Sequence, residues 1–280
     1  MKMIKFTKMQ GSGNDFVVME ERFAVNVARN VPLIKKICDR KFGIGADGIL
    51  LLGESKKADV RMRIFNADGS EAEMCGNGAR CCALYYAAKN KKRKITIETL
   101  AGHLEAEIES QSVKLKMTDP LDLRLDYKVE VGNKAYEADY VNTGVPHAVI
   151  EVDDLEKVPL KRLGRAIRHH QIFQPAGTNV DFVKVIDGEH IRIRTYERGV
   201  EDETLACGTG SVASAIIAVL NHSRRNLKQK DSASMHRVFV ATRSGEELKV
   251  YFKILKKIVT NVWLEGKAHI VFKGEYCISQ

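Results

Sequence analysis

The chain has 280 residues, 44% of them apolar, with 45 Lys and Arg against 36 Asp and Glu, a formal net charge of +9. That composition excludes a disordered chain, and the length accommodates one large domain or two of about 140 residues. No apolar run reaches the roughly 18 residues of a membrane helix. The opening MKMIKFTKMQGSGNDF lacks the apolar core of a signal peptide, so the chain reads as a cytoplasmic protein with no membrane partner.

In chain order, residues 60–65 (VRMRIF) alternate apolar with basic, the period of a half-buried strand, and lead through a polar, glycine-bearing loop into Cys75. A helix is predicted over 79–88, closed by the lysine-rich tract 89–94, where cations suit a helix C-terminus. Strands follow over 94–98 and 113–117, and the strand pattern stops at Pro120. The theme then recurs. Residues 190–196 (HIRIRTY) alternate again and lead into Cys207, and a helix follows over 211–220. That helix is small and apolar on nearly every face, which predicts burial all round. Residues 224–237 are polar and are predicted as a loop, with strands after them over 238–242, 248–252 and 269–272. Many strands around one central helix per half make an α+β protein. Neither basic tract, 89–94 or 224–230, is interleaved with the aromatics on which bases stack, so no nucleic-acid partner is expected.

Laid over itself at an offset of 132, the sequence matches in three blocks. Glu71 to Gly78 falls on Glu203 to Gly210, Gly45 to Leu51 on Gly177 to Val183, and Gly13 to Val18 on Val145 to Ile150. Three blocks at one offset and in one order indicate an internal duplication, hence two halves of similar architecture.

Six cysteines stand at 38, 75, 81, 82, 207 and 277. A chain this long without an export signal does not use them as a disulfide framework. No C-x-x-C occurs, and adjacent His169 and His170 cannot face one metal from a regular helix, so no metal is expected. Cys75 and Cys207 differ from the rest: the duplication pairs them, each within Cys-Gly-x-Gly and each placed at the first turn of its helix. There, free backbone N–H groups and the positive end of the helix dipole favour a thiolate, and the glycines let a carboxylate approach the same N–H groups. Two such thiols suit inversion of a stereocentre α to a carboxylate, one removing the proton and the other returning it to the opposite face. The alternatives are small residues filling tight helix starts, or a switchable disulfide whose sulfurs would have to close to about 2 Å.

Motifs along nearly the whole chain carry a resemblance. They are Gly11-Ser-Gly-Asn14-Asp-Phe16, Phe42-Gly-Ile-Gly-Ala-Asp47, Phe65-Asn66-Ala-Asp-Gly-Ser70, Cys75-Gly-Asn77-Gly-Ala-Arg80, Gly144-Val-Pro-His147, Gly177-Thr-Asn179-Val180, Tyr196-Glu197-Arg198-Gly199 and Glu203-Thr-Leu-Ala-Cys207-Gly-Thr-Gly210. Together they resemble the diaminopimelate epimerase family, cofactor-independent two-cysteine racemases and epimerases. The resemblance implies conversion of LL-2,6-diaminopimelate to the meso form, in lysine and peptidoglycan precursor synthesis, by a homodimer without a cofactor. It also implies two pseudo-symmetric halves, each a mostly antiparallel, barrel-like sheet around a central helix, with the site in the cleft between. Residues 1–118 form the first half, joined by a returning strand over 268–280, and residues 119–267 form the second.

By position, the resemblance makes Cys75 and Cys207 the acid–base pair. Gly76, Asn77, Gly208 and Thr209 hold the reacting carboxylate through their N–H groups, while Asn14, Asn66, Asn179, Glu197 and Arg198 read the substrate's polar groups. His147 and Glu197 tune the thiols. Two positions depart from the family pattern: Val145 stands where many members have Asn, and Gly48 where many have Gln.

Overall fold

Alternating apolar and polar residues dominate the chain, and a computed structural model turns them into eighteen strands and four α-helices among the residues it describes, which are 2–24, 26–225, 234–256 and 258–278. These fall into two compact units, Met1–Leu115 with Glu265–Gln280, and Lys116–Leu264.

In the first unit, β1 (Lys2–Gly11) and β2 (Asn14–Glu20) form a hairpin whose turn residues, Ser12 and Gly13, both have positive φ (56° and 83°). Helix α1 (Val31–Cys38) begins where the Asn30 side chain accepts the Leu33 N–H at 3.0 Å. It carries the chain over to β3 (Gly48–Gly53), parallel to β2, as a parallel pair requires. Antiparallel to β3 runs β4 (Val60–Asn66), and β4 in turn pairs with the short β5 (Glu71–Ala72). The central helix α2 (Gly76–Asn90) ends at Lys91 in the left-handed conformation, φ 54°. It returns the chain to β6 (Lys94–Thr99), parallel to β4, and β7 (Gly102–Glu109) and β8 (Ser112–Lys116) follow as a meander. Strand β3, GILLLG, is apolar throughout because both its faces are covered. Ile49 and Leu51 pack in the cluster with Leu33, Ile34 and Ile37 of α1, while Leu50 lies under Gly78 of α2. Each fully buried aliphatic side chain there contributes about 1.5–3 kcal/mol.

The second unit repeats this order of pairing. Strands β9 (Leu121–Val131) and β10 (Lys134–Asn142) are antiparallel, and β11 (Pro146–Glu151) joins β10 antiparallel. Helix α3 (Leu160–Arg168) leads to β12 (Asn179–Val185), parallel to β11. Its Leu160, Leu163 and Ile167 join a cluster with Ala148, Ile150, Val180 and Phe182. Then come β13 (His190–Glu197) and β14 (Asp202–Thr204), both antiparallel, and the central helix α4 (Gly208–Arg225). Strand β15 (Met235–Ala241) runs parallel to β13 and antiparallel to β16 (Glu247–Leu255); β17 (Ile258–Lys267) follows. Helix α4 packs against β10 to β13, β15 and β16, and it is buried from Gly210 through Ile217, the all-round burial its composition predicts. The last strand, β18 (His269–Ile278), belongs to the first unit, where it lies antiparallel along β1 from Lys2↔Ile278 to Gln10↔His269.

The loop predicted over 224–237 needs correction. Arg224 and Arg225 complete α4, residues 226–233 lie outside the described residues, and Met235, His236 and Arg237 open β15. Polar residues are tolerated in that strand because His236 stacks on Phe252 (centroids 5.5 Å) and the Arg237 guanidinium lies over Phe239. Among the described residues no helix is long and apolar enough to cross a membrane.

Candidate active site

The two central helices begin in the same way. In the first unit, Arg63 of β4 forks onto Glu71 of β5 (Nε–Oε1 2.7 Å, Nη2–Oε2 2.9 Å), and in the second, Arg194 of β13 forks onto Glu203 of β14 (2.7 and 2.8 Å). Each bidentate pair fixes the short strand that feeds a cysteine into the helix start. The duplication aligns the two glutamates, but the forks are absent from the sequence reading.

Cys75 is the N-cap of α2 (φ −145°, ψ 121°), and its Sγ accepts the Gly78 N–H at 3.5 Å. The Asn14 side-chain amide donates to the same sulfur at 3.8 Å. A Cβ on Gly76 would meet nothing within 4 Å, whereas one on Gly78 would lie 3.1 Å from Leu50 Cδ2. Asn77 is turned inward: its Oδ1 accepts from Nη2 of the fully buried Arg80 at 2.8 Å, and that nitrogen also donates to Ser12 Oγ at 2.8 Å. Arg80 thereby ties the turn before Asn14 to the first turn of α2. Asn66 lies at the exposed end of β4, opposite Gly48, with its amide donating to Ser70 Oγ at 3.0 Å. A Cβ on Gly48 would sit 2.6 Å from the Phe65 carbonyl oxygen, so a side chain there would need the backbone to shift.

An ion cluster holds the start of β2. Buried Lys8 pairs with Asp15 at 2.6 Å and also donates to the Gly45 carbonyl; Arg40 forks onto Asp15 (3.1 and 2.8 Å) and reaches Asp47 at 2.8 Å. Burial alone would push the Asp15 carboxyl up, but Arg40 and Lys8 overcome it and hold Asp15 far below the usual carboxylate range. Asp47 is displaced the other way, by burial and by the charge of Asp15.

Cys207 stands immediately before α4, 7% exposed. Its Sγ is 3.4 Å from Thr209 Oγ1; Thr209 Oγ1 is 3.0 Å from His147 Nε2; and His147 Nδ1 is 2.6 Å from Asp181 Oδ2. His147 and Asp181 are both fully buried. The other Asp181 oxygen accepts from Thr195 at 2.6 Å, and Thr143 donates to the Thr209 carbonyl at 3.0 Å. Burial drives the Cys207 thiol well above its ordinary range, and the charges of Glu197 and Asp181 add to that. Burial also raises the Glu197 carboxyl. Asn179 spends its side chain on the protein, donating to the Pro146 carbonyl at 2.9 Å and accepting the Arg198 N–H at 2.8 Å. Arg198 Nη1 reaches the Ala176 carbonyl at 3.1 Å. A Cβ on Gly208 would lie 3.0 Å from Leu264 Cδ2.

Within the first unit, then, Asn14, Gly76 and Asn77 gather at Cys75; within the second, His147, Glu197, Gly208 and Thr209 gather at Cys207. Asp181 escaped the sequence reading although NVDFV carries a signal, a charge in the middle of an otherwise apolar buried strand. Of the remaining cysteines, Cys38, Cys81 and Cys82 are buried, and burial pushes the Cys38 thiol up to about 11. Among the described residues no three His, Cys, Asp or Glu side chains converge as a metal site requires.

The family model for diaminopimelate epimerase matches residues 6–122 and 139–251. A diaminopimelate epimerase of Aquifex aeolicus (strain VF5) is 40% identical over 283 residues, covering 97% of both chains. One of Methanocella arvoryzae (strain DSM 22066 / NBRC 105507 / MRE50) is 42% identical over 290 residues, covering 98% of this chain and 97% of its own. Among solved structures, a PhzF-family phenazine biosynthesis protein of Bacillus anthracis superposes with a TM-score of 0.70 at 18% identity, over 99% of this chain and 100% of that one. A hydroxyproline epimerase from Agrobacterium vitis does so with a TM-score of 0.66 at 18% identity, over 99% and 91%. At that identity the likeness is one of fold.

Proposed function

The chain belongs to the diaminopimelate epimerase family and interconverts LL- and meso-2,6-diaminopimelate; we propose that Cys75 and Cys207 are the two proton carriers of that reaction. The observation that carries this reading is the equivalent placement of the two sulfurs, each at the start of the central helix of its own unit. An α-proton next to a carboxylate leaves only if the charge that develops on that carboxylate is met by preorganised donors. Backbone N–H groups of Gly76, Asn77, Gly208 and Thr209, all in first helical turns, are the donors assigned to it. One thiolate removes the proton, the other thiol supplies one, and the pair is left with its protonation reversed, ready for the opposite direction. Asn14, Asn66, Asn179, Glu197 and Arg198 are assigned to the substrate's remaining amino and carboxylate groups.

The working protein is assigned to the cytoplasm as a homodimer. Exposed Ile270, Val271 and Phe272 on β18 offer an apolar surface for the second copy. The experiment is proton NMR of LL-diaminopimelate with reduced protein in D₂O. Loss of the α-proton signal with appearance of the meso isomer is expected, as is loss of both in Cys75→Ala and in Cys207→Ala. Normal turnover in either variant would overturn the assignment of the thiols.

A further inference from the structure

Cys207 presents a contradiction in its own unit. A base must be able to lose its proton, yet this thiol is buried beside two carboxylates, Glu197 of β13 and Asp181 of β12, whose charges both oppose its ionisation. Releasing its proton to water would leave a third negative charge in the same buried space. The proton therefore needs an acceptor close by.

The hydrogen bonds identify one. An ionised Asp181 can only accept, so its partner, His147 Nδ1, must carry a hydrogen. In the neutral ring this leaves Nε2 as an acceptor, and the group within reach of Nε2 is the Thr209 hydroxyl at 3.0 Å. With its own hydrogen directed at Nε2, Thr209 Oγ1 is free to accept from the Cys207 S–H at 3.4 Å. Direction is thus fixed along the whole chain, from thiol to hydroxyl to imidazole to carboxylate. Thr143 holds the Thr209 backbone and Thr195 holds the Asp181 carboxylate.

We propose that Asp181 is a positioning residue of the reaction, holding His147 so that the imidazole receives the Cys207 proton by way of the Thr209 hydroxyl. As the S–H bond breaks, its proton bonds to Thr209 Oγ1, the hydroxyl's original proton passes to His147 Nε2, and a thiolate and an imidazolium remain. The transfer creates an ion pair from two neutral groups, so no net charge is added to the buried site.

This inference rests on the reading of Cys207 as a proton carrier, and the test keeps the two apart. Steady-state kinetics in both directions would be measured for Asp181→Asn, Thr209→Val, Thr209→Ser and Cys207→Ser. The Cys207 thiolate would be titrated by the ultraviolet difference between Cys75→Ala chains with and without Cys207. An asparagine can donate to Nδ1 and turn the imidazole over, which places a hydrogen on Nε2 and closes the route. A fall in kcat on the order of 10²-fold, the scale of general acid–base catalysis, is expected for Asp181→Asn and Thr209→Val, with KM little changed. Thr209→Ser should recover most of what Thr209→Val loses. Deleting a nearby negative charge should by itself let the thiol ionise at lower pH, whereas breaking the relay moves its ionisation to higher pH. An upward move in Asp181→Asn supports the relay, and a downward move or none overturns it. If Asp181→Asn does not fold, the Thr209→Val and Thr209→Ser pair decides: equal turnover overturns the relay. Full activity in Cys207→Ser would instead overturn the reading on which the relay rests.

Discussion

Gly210 and Asp181 compete for one volume: a Cβ on Gly210 would come within 2.4 Å of Asp181 Oδ1, and within 3.3 Å of Cys207 Cβ. The second glycine of the Cys-Gly-Thr-Gly segment is therefore what lets a carboxylate rise beneath the first turn of α4. Gly210→Ala is expected to destabilise the second unit by about 1–3 kcal/mol, the usual penalty of overpacking, and to slow turnover by displacing Asp181 from His147. Denaturant unfolding and kcat, measured on the same preparation, check both. Unchanged stability would mean that the carboxylate has room to retreat.

Glu197 supplies a prediction with a definite sign. Its carboxyl is raised by burial, so folding favours the protonated acid, and the folded state loses stability as pH rises from the unfolded value through the folded one. Glu197→Gln removes the titration, and its Tm should exceed that of the unchanged chain at neutral pH, with the gap closing in acid. The same substitution takes away one of the two charges that push the Cys207 thiol up, so the thiolate should form at lower pH. A gap that persists undiminished in acid would show that the gain comes from packing.

Lys8 is the buried member of the ion cluster at the start of β2, with its side chain only 8% exposed. Lys8→Met leaves Asp15 without one of its two cations and is expected to destabilise by about 3–5 kcal/mol at neutral pH, as broken buried ion pairs do. Asp15 is held far below the usual range; its stabilising contribution is present above the unfolded value and is lost as pH falls through the folded one. The difference between Lys8→Met and the unchanged chain should accordingly narrow in strong acid, where the carboxyl is protonated in both. Urea unfolding across the acid range would show it, and a constant difference would assign the loss to packing of the lysine stem.

Much of this was legible in the sequence because the relevant signals are local. Strand periodicity marks β4 and β13, the apolar run marks α4, and the offset of 132 pairs Cys75 with Cys207. What stayed hidden depends on partners distant in the chain. Arg63 and Arg194 looked like the exposed face of a strand, yet each forks onto a glutamate across a hairpin. Asp181 looked like an interruption of a buried strand until β11 brought His147 alongside. Gly48, which stands out in the sequence only as a departure from the family pattern, is a close backbone approach to Phe65 that no single-residue signal reveals. Asn179, assigned to substrate, already holds Pro146 and Arg198 in place.

The pairing of β18 with β1 has a consequence for the order of folding. Its register, from Lys2↔Ile278 to Gln10↔His269, joins segments that have the whole of the second unit and most of the first between them. Pairing across so great a separation in sequence must close a very large loop before any contact rewards it, so this ladder is expected among the last to form. Until it does, β1 presents one unpaired, adhesive edge.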